Sequence, residues 1–192
     1  MVKTPEYDST GAHCAHLIVV LTGFMGSGKT STGLALAELL GWEFIDLDSE
    51  IESHEGAAIR FLFQQRGEAT FRAIEQGALL RCLDKCHGPT VISLGGGTFV
   101  QPNNTKLLRE SRVLSVFLET PVEDMLQRCG VGEQADPENP RPLAEDTATF
   151  RSLYEKRLPS YRKAYVTITT AGKNVAEVAN EVAERLGLKT TG

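Results

Sequence analysis

Short apolar runs alternate along the chain with longer stretches in which apolar residues recur every three or four positions. The short runs are rich in β-branched residues and predict five strands, which are His16–Thr22, Trp42–Ile45, Thr90–Ser93, Val113–Leu118 and Val166–Thr169. The longer stretches predict amphipathic helices, which are Ser31–Leu40, Glu50–His54, Ile59–Gln65, Glu68–Lys85, Asn104–Glu110, Pro121–Arg128, Phe150–Arg162 and Val175–Leu186. Strands that alternate with helices are typical of a parallel sheet covered on both faces, so the pattern predicts a three-layer α/β/α fold.

The periodic pattern runs through residues 16–187 without a long linker, so it predicts a single domain in a chain of 192 residues. The flanking segments, residues 1–15 and 188–192, are interpreted as a disordered N-terminal arm and a C-terminal tail. We expect no nucleic-acid partner because the net charge is −5, and no membrane partner because every apolar run is too short to cross a bilayer. The arm lacks an apolar signal region, and the four cysteines lack metal-ligand spacing and are expected to be reduced thiols. These features favour a cytoplasmic protein.

The segment Gly23–Thr30 reads Gly-Phe-Met-Gly-Ser-Gly-Lys-Thr and fits the phosphate-binding pattern G-x-x-x-x-G-K-[ST] between a predicted strand and a predicted helix. Its glycines allow backbone N–H groups to face phosphate oxygens at the positive end of the helix. Lys29 can reach the β- and γ-phosphates, and the Thr30 hydroxyl can ligate Mg²⁺. The loop therefore predicts a nucleoside triphosphate site rather than a simple turn. The predicted nucleotide contacts are Gly26, Ser27, Gly28, Lys29, Thr30 and Ser31.

Two further polar segments follow the second and third predicted strands. Asp46 and Asp48 come at the end of the second strand, and the triple glycine Gly95, Gly96 and Gly97 follows the third. Ligands bind outside the carboxyl ends of parallel strands, so these segments and the phosphate loop are expected to share one crevice. One carboxylate could hold Mg²⁺ through water while the other meets a substrate hydroxyl, although helix capping also explains the pair. Three consecutive glycines indicate either positive φ angles or close approach of a ligand to the backbone.

Three arginines complete the candidate site. Arg72 has Glu75 three residues further along its predicted helix, close enough to hold the guanidinium. Arg141 ends a polar loop, and Arg157 lies in the helix that follows. Each alone is typical of a solvated surface charge. Together they suit a small anionic substrate and a migrating phosphoryl group, because guanidinium groups bind carboxylates bidentately and one on a mobile loop could stabilise the transferring phosphate.

The ordered set of these segments resembles the shikimate kinase family of the small bacterial type, and the resemblance extends from His16 to Leu186. The resemblance rests on the segments Gly23–Thr30, Asp46–Asp48, Gly67–Glu75, Gly95–Gly97, Arg141–Leu143 and Arg157–Tyr161. The resemblance implies transfer of the ATP γ-phosphoryl group to the 3-hydroxyl of shikimate, in aromatic amino acid (chorismate) biosynthesis. It also implies the P-loop kinase fold of the nucleoside monophosphate kinase type, with a five-stranded parallel sheet of order 2-3-1-4-5 and a mobile lid at about residues 129–146.

The resemblance also implies roles for individual residues. Asp48 would contact the shikimate hydroxyls and assist deprotonation, and it would be catalytic together with Lys29 and Arg141. Asp46 would meet Mg²⁺ through water, with Thr30 as the other metal residue. The implied shikimate contacts are Asp48, Arg72, Gly95, Gly96, Gly97, Arg157 and the apolar walls Phe63 and Phe71. Arg128 and Arg141 match arginines that contact the nucleotide and its phosphates.

Other functions remain open from the sequence. A gluconate kinase or a nucleoside monophosphate kinase would share the phosphate loop, but neither accounts for Phe71, Arg72, Gly95–Gly97 and Arg157 together. A non-catalytic shikimate-kinase-like binding protein would be expected to have lost Lys29, Asp48 or Arg141, and all three are intact. We expect a monomer that uses shikimate and ATP as small-molecule substrates.

Overall fold

The computed structural model describes residues 17–131 and 146–190. The arm before residue 17, most of the expected lid and Arg141 lie outside the described residues. Within them, no helix is long and apolar enough to cross a membrane.

A single parallel sheet forms the middle layer, with its strands in the order β2-β3-β1-β4-β5. The strands are β1 (Ile18–Thr22), β2 (Glu43–Asp46), β3 (Thr90–Ser93), β4 (Leu114–Glu119) and β5 (Val166–Thr169). The predicted five strands and the order implied by the resemblance are therefore confirmed. The register places Asp46 opposite Ser93 and Ser93 opposite Leu21, so the carboxyl ends of β2, β3 and β1 meet at one edge of the sheet.

Helices follow the strands as predicted. They are α1 (Lys29–Leu40), α2 (Leu47–Glu55), α3 (Ile59–Lys85), α4 (Pro102–Glu110), α5 (Val122–Cys129), α6 (Thr147–Tyr161) and α7 (Val175–Leu186). The bounds of α7 and the outer bounds of α3 are as predicted, and each of the others is shifted at one end or both. The two helices predicted on either side of residue 67 follow each other directly within α3 and are separated by a kink at Gly67, whose φ of 75° is readily adopted only by glycine. A short 3₁₀ turn, Thr98–Val100, was not predicted because three residues are too few to show periodicity.

Alternating side chains of β1 supply both faces of the sheet, as the period of two requires. Val19 and Leu21 pack with α1 and α7 on one face, whereas Ile18 and Val20 pack with α2, α3 and α4 on the other. The predicted three-layer arrangement is therefore confirmed.

A third apolar cluster lies beyond the carboxyl ends of β1 and β4. The ring of Phe24, in the phosphate loop, is fully buried there and meets Phe150 of α6 edge-on, with ring centroids 4.9 Å apart. Met125 of α5 belongs to the same cluster. This packing attaches the loop after β1 to α6, the helix that carries Arg157.

Candidate active site

The loop between β1 and α1 is shaped to receive an anion. Gly26 and Gly28 have φ angles of 76° and 85°, which few other residues adopt. A Cβ at Gly26 would also lie 2.9 Å from the Met125 carbonyl oxygen, so a side chain there would collide with α5. Helix α1 begins with no capping side chain and no acidic residue in its first turn. Its N–H groups therefore keep their positive potential for a phosphate.

Two side chains of this loop and of the first turn of α1 take defined positions. The Lys29 ammonium donates a hydrogen bond to the Phe24 carbonyl at 2.9 Å, and it lies close enough to Asp48 to lower the pKa of that carboxyl. Ser27 is held within the turn, because its N–H donates to the Phe24 carbonyl and its hydroxyl is buried. Arg128 of α5 reaches the same loop and donates to the Gly26 carbonyl at 3.2 Å.

Three oxygen-bearing side chains meet where the carboxyl ends of the strands converge. The Thr30 hydroxyl donates to Asp46 Oδ2 at 2.8 Å, and Ser93 Oγ lies 3.5 Å from the same hydroxyl. Asp46 Oδ1 meanwhile accepts from the Ser49 N–H at 3.1 Å and caps α2. Asp46 therefore caps α2 and also faces the phosphate loop. Helix capping and a role in the ligand site, the two explanations offered for this residue, do not exclude each other. Oxygen donors of this kind are the ligands that Mg²⁺ takes in proteins.

Asp48 lies in the first turn of α2 and points at the triple-glycine segment. A Cβ at Gly95 would lie only 2.6 Å from Asp48 Oδ1. Burial raises the pKa of Asp48 to about 6; nearby Lys29 opposes the rise, and the carboxylates of Asp46, Glu75 and Glu52 add to it. A carboxyl group with such a pKa is suited to accepting a proton near neutral pH.

Arg72 is held in place from several sides. Its Nη1 lies 2.9 Å from Oε2 of Glu75, a carboxylate that is 1% exposed. The guanidinium carbon also lies 5.5 Å from the Phe63 ring centre and 5.3 Å from that of Phe71. The two rings stack with centroids 4.2 Å apart. Phe71 is buried beneath the guanidinium, so Phe63 offers the more accessible ring surface.

Arg157 is also a buried cation, but its surroundings differ from those of Arg72. It is 9% exposed, donates one hydrogen bond of 3.3 Å to the Gly96 carbonyl, and has its guanidinium carbon 5.6 Å from the centre of the Phe24 ring. Among the described residues, no ion pair includes Arg157. A buried charge without a counter-ion is unfavourable, so this position favours binding of an anion.

Close contacts, not unusual backbone angles, explain two of the three consecutive glycines, Gly95 and Gly97. Gly95, Gly96 and Gly97 are absent from the glycines with positive φ, so the first of the two explanations offered for them is wrong. A Cβ at Gly97 would lie 2.6 Å from Arg72 Nη1, and one at Gly96 would lie 3.4 Å from the Met25 backbone nitrogen. The side chains of Asp48 and Arg72 thus approach the backbone closely at Gly95 and Gly97, whereas the phosphate loop is in ordinary van der Waals contact at Gly96.

Two polar residues at this site were missed by the sequence analysis. Ser93 lies beside Thr30, and its place as the last residue of a central strand was a usable signal. The Thr98 hydroxyl donates to Glu75 Oε1 at 2.7 Å and so completes the support of Arg72, but no pattern in the sequence marks it.

The fold, the phosphate loop and the adjoining crevice define a P-loop phosphotransferase of the nucleoside monophosphate kinase type. The family model for shikimate kinase matches residues 25–187. The shikimate kinase of Persephonella marina is 36% identical over 168 residues, which cover 88% of this chain and 98% of that protein. The structure of shikimate kinase from Acinetobacter baumannii in complex with shikimate is 35% identical with a TM-score of 0.80, over 89% of this chain and 93% of that one. The chain belongs to the shikimate kinase family.

Membership in this family makes the chain an ATP-dependent kinase that phosphorylates a hydroxyl of shikimate, as the resemblance implied. A gluconokinase from Sinorhizobium meliloti has a TM-score of 0.58 at 22% identity, which shows a shared fold alone. Gluconate kinase and a non-catalytic binding protein are therefore not favoured.

Proposed function

We propose that the chain binds Mg²⁺·ATP in the loop Gly23–Thr30 and transfers the γ-phosphoryl group to the 3-hydroxyl of shikimate in the crevice beside Gly95–Gly97. The observation that carries this assignment is Arg157, a nine-tenths buried cation with no ion pair in the described part of the chain. The carboxylate of shikimate supplies the missing counter-charge. Shikimate contacts are proposed for Asp48, Phe63, Phe71, Arg72, Gly95, Gly96, Gly97 and Arg157.

The two arginines of the crevice are proposed to share the carboxylate unequally. Glu75 already neutralises much of the charge of Arg72, because their contact is 2.9 Å and the carboxylate is buried. The charge of Arg157 is not balanced in this way, so the ligand interacts more strongly with Arg157 than with Arg72. Glu75 fixes the orientation of the Arg72 guanidinium, and the Thr98 hydroxyl in turn holds the Glu75 carboxylate.

In the proposed reaction, Asp48 accepts the proton of the 3-hydroxyl of shikimate. The oxygen of that hydroxyl forms a bond to the γ-phosphorus, and the bond between the γ-phosphorus and the ADP oxygen breaks. Lys29 stabilises charge on the phosphates. Thr30 and Asp46 would hold Mg²⁺, which when bound neutralises charge on the phosphate oxygens. Nucleotide contacts are proposed for Gly26, Ser27, Gly28, Lys29, Thr30, Ser31, Arg128 and, outside the described residues, Arg141.

We further propose a cytoplasmic monomer of one kinase domain over residues 16–187, with a lid at about residues 129–146.

The proposed substrate is tested by measuring ADP release with shikimate, gluconate and nucleoside monophosphates as acceptors, each with and without Mg²⁺. Of these acceptors, we expect only shikimate to be phosphorylated, and only when Mg²⁺ is present. Phosphorus NMR of the product, with the proton coupling traced to carbon 3, establishes the position of the new ester. Comparable turnover of gluconate, or phosphorylation of another shikimate hydroxyl, would contradict the proposal.

The raised pKa of Asp48 predicts a distinctive pH dependence. The protonated carboxyl cannot accept the hydroxyl proton, so kcat/KM for shikimate should fall about tenfold per pH unit below a pH of about 6. Rates measured between roughly pH 4.5 and 8 at saturating Mg²⁺·ATP check this. The residual activity of Asp48→Asn should lack this inflection. A wild-type inflection near the ordinary aspartate value would show that Asp48 is not the group that limits activity.

A further inference from the structure

Tyr161 is a buried polar residue to which the mechanism so far gives no role. It is the last residue of α6, four positions after Arg157, so the two side chains lie on the same side of the helix. Its side chain is fully buried, and its ring stacks on Phe117 of β4 with centroids 5.3 Å apart. Its hydroxyl donates a hydrogen bond of 2.5 Å to the Gly96 carbonyl.

The Gly96 carbonyl therefore has two donors, both from α6. Tyr161 makes the short hydrogen bond, whereas Arg157 Nη1 lies at 3.3 Å, near the outer limit for such a bond. On its other side Gly96 lies against the phosphate loop, where a Cβ would come within 3.4 Å of the Met25 nitrogen. The Gly96 peptide is thus held between the nucleotide loop and α6.

The two donors differ in what else they can do. The Gly96 carbonyl is partly buried, so it benefits from a protein donor, and the Tyr161 hydroxyl supplies one. Among the described residues, Arg157 has a long contact to the Gly96 carbonyl and lies within hydrogen-bonding reach of the Tyr161 hydroxyl, so most of its five N–H donors are left for an anion. Without the hydroxyl, Gly96 would depend on Arg157, and the guanidinium would be drawn from the crevice onto the carbonyl.

We infer that Tyr161 is a positioning residue for the acceptor site, which holds the Gly96 peptide and keeps Arg157 available for the substrate carboxylate. The inference rests on the proposed assignment of Arg157 to that carboxylate. Burial also raises the pKa of Tyr161 to about 12, so its hydroxyl keeps its proton and remains a donor throughout the pH range of an assay.

The test compares Tyr161→Phe with Tyr154→Phe, which removes a hydroxyl from another largely buried tyrosine two turns earlier on α6. Tyr161→Phe should raise the KM for shikimate roughly tenfold, because the partly buried Gly96 carbonyl loses its short hydrogen bond and competes for Arg157, and should change the KM for ATP less than about twofold. Tyr154→Phe should leave the KM for shikimate unchanged. Thermal unfolding is measured for both variants.

A second acceptor separates positioning from general loosening of the site. The methyl ester of shikimate lacks the carboxylate charge, so Tyr161→Phe should change its KM much less than that of shikimate. An unchanged KM for shikimate would overturn the inference. Equal increases for shikimate, its ester and ATP would also overturn it, because they would show a structural role only.

Failure of this inference is distinguishable from failure of the proposed function. If Arg157→Ala weakens shikimate binding and Tyr161→Phe does not, only the role of Tyr161 is wrong. If Arg157→Ala leaves shikimate binding unchanged, the assignment of the carboxylate is wrong and the role of Tyr161 is wrong with it.

Discussion

Replacement of Asp48 by asparagine is expected to lower kcat by a factor on the order of 10²–10⁴, the usual contribution of a positioned general base. The amide has nearly the same shape and fits the same contact with Gly95, but it cannot take up the proton of the acceptor hydroxyl. ATP binding should persist, since Asp46, not Asp48, caps α2 and meets Thr30. Single-turnover phosphoryl transfer and separate equilibrium binding of ATP and shikimate provide the measurement.

The same substitution is expected to stabilise the protein at neutral pH. The folded-state pKa of Asp48 is about 6 and its ordinary value is 3.8, so the carboxyl favours the folded state below pH 3.8 and this stabilisation is lost as the pH rises through about 6. At neutral pH the ionised group opposes folding, and Asp48→Asn should raise the free energy of unfolding by about 1–3 kcal/mol. The gain should shrink as the pH is lowered from 7 to 4.

Asp124→Asn is the matched control, since Asp124 also lies in the first turn of a helix, α5, but outside the crevice. It should leave kcat near the wild-type value and should not reproduce the stabilisation at neutral pH. Near-normal turnover of Asp48→Asn would show that this carboxylate does not act as the base.

Much of the fold was predictable because its signals are local. Strand patterns such as that of β3 and the helical spacing of α7 are read from a few neighbouring residues, and the rule for parallel strands then brought Asp46 and the phosphate loop to one edge. The start of α2 was placed three residues late, at Glu50, because the capping hydrogen bond from the Ser49 N–H to Asp46 leaves no mark in the apolar pattern.

The parts of the site that escaped prediction depend on contacts between residues far apart in the chain. Thr98 supports Glu75 from 23 positions away, and Tyr161 meets Gly96 from 65 positions away. From the sequence, the triple glycine indicated either positive φ angles or close approach of a ligand to the backbone. Only the three-dimensional packing identifies Asp48 and Arg72 among the groups that approach.

The packing around Arg157 leads to the second large effect. Arg157→Ala is expected to weaken shikimate binding by about 2–5 kcal/mol, or roughly 30- to 4,000-fold, because the substrate carboxylate would lose its least neutralised partner. ATP affinity should change far less, since the described contacts of Arg157 with the nucleotide loop are limited to the Phe24 ring. Calorimetric titration of each ligand into wild type and variant gives both quantities.

The stability of the ligand-free variant tests the same electrostatic argument independently. Arg157 is buried without an ion pair among the described residues, so its removal should leave the thermal midpoint unchanged or raise it. Arg162→Ala is the control at the end of the same helix, because Arg162 directly follows α6, is exposed and pairs with Glu119 at 2.8 Å, and it should affect neither ligand. Arg157→Lys should recover only part of the shikimate affinity, since an ammonium keeps the charge but lacks the planar fork. Equal losses for shikimate and ATP in Arg157→Ala, with a lower midpoint, would instead mean that Arg157 supports the fold and does not bind the acceptor.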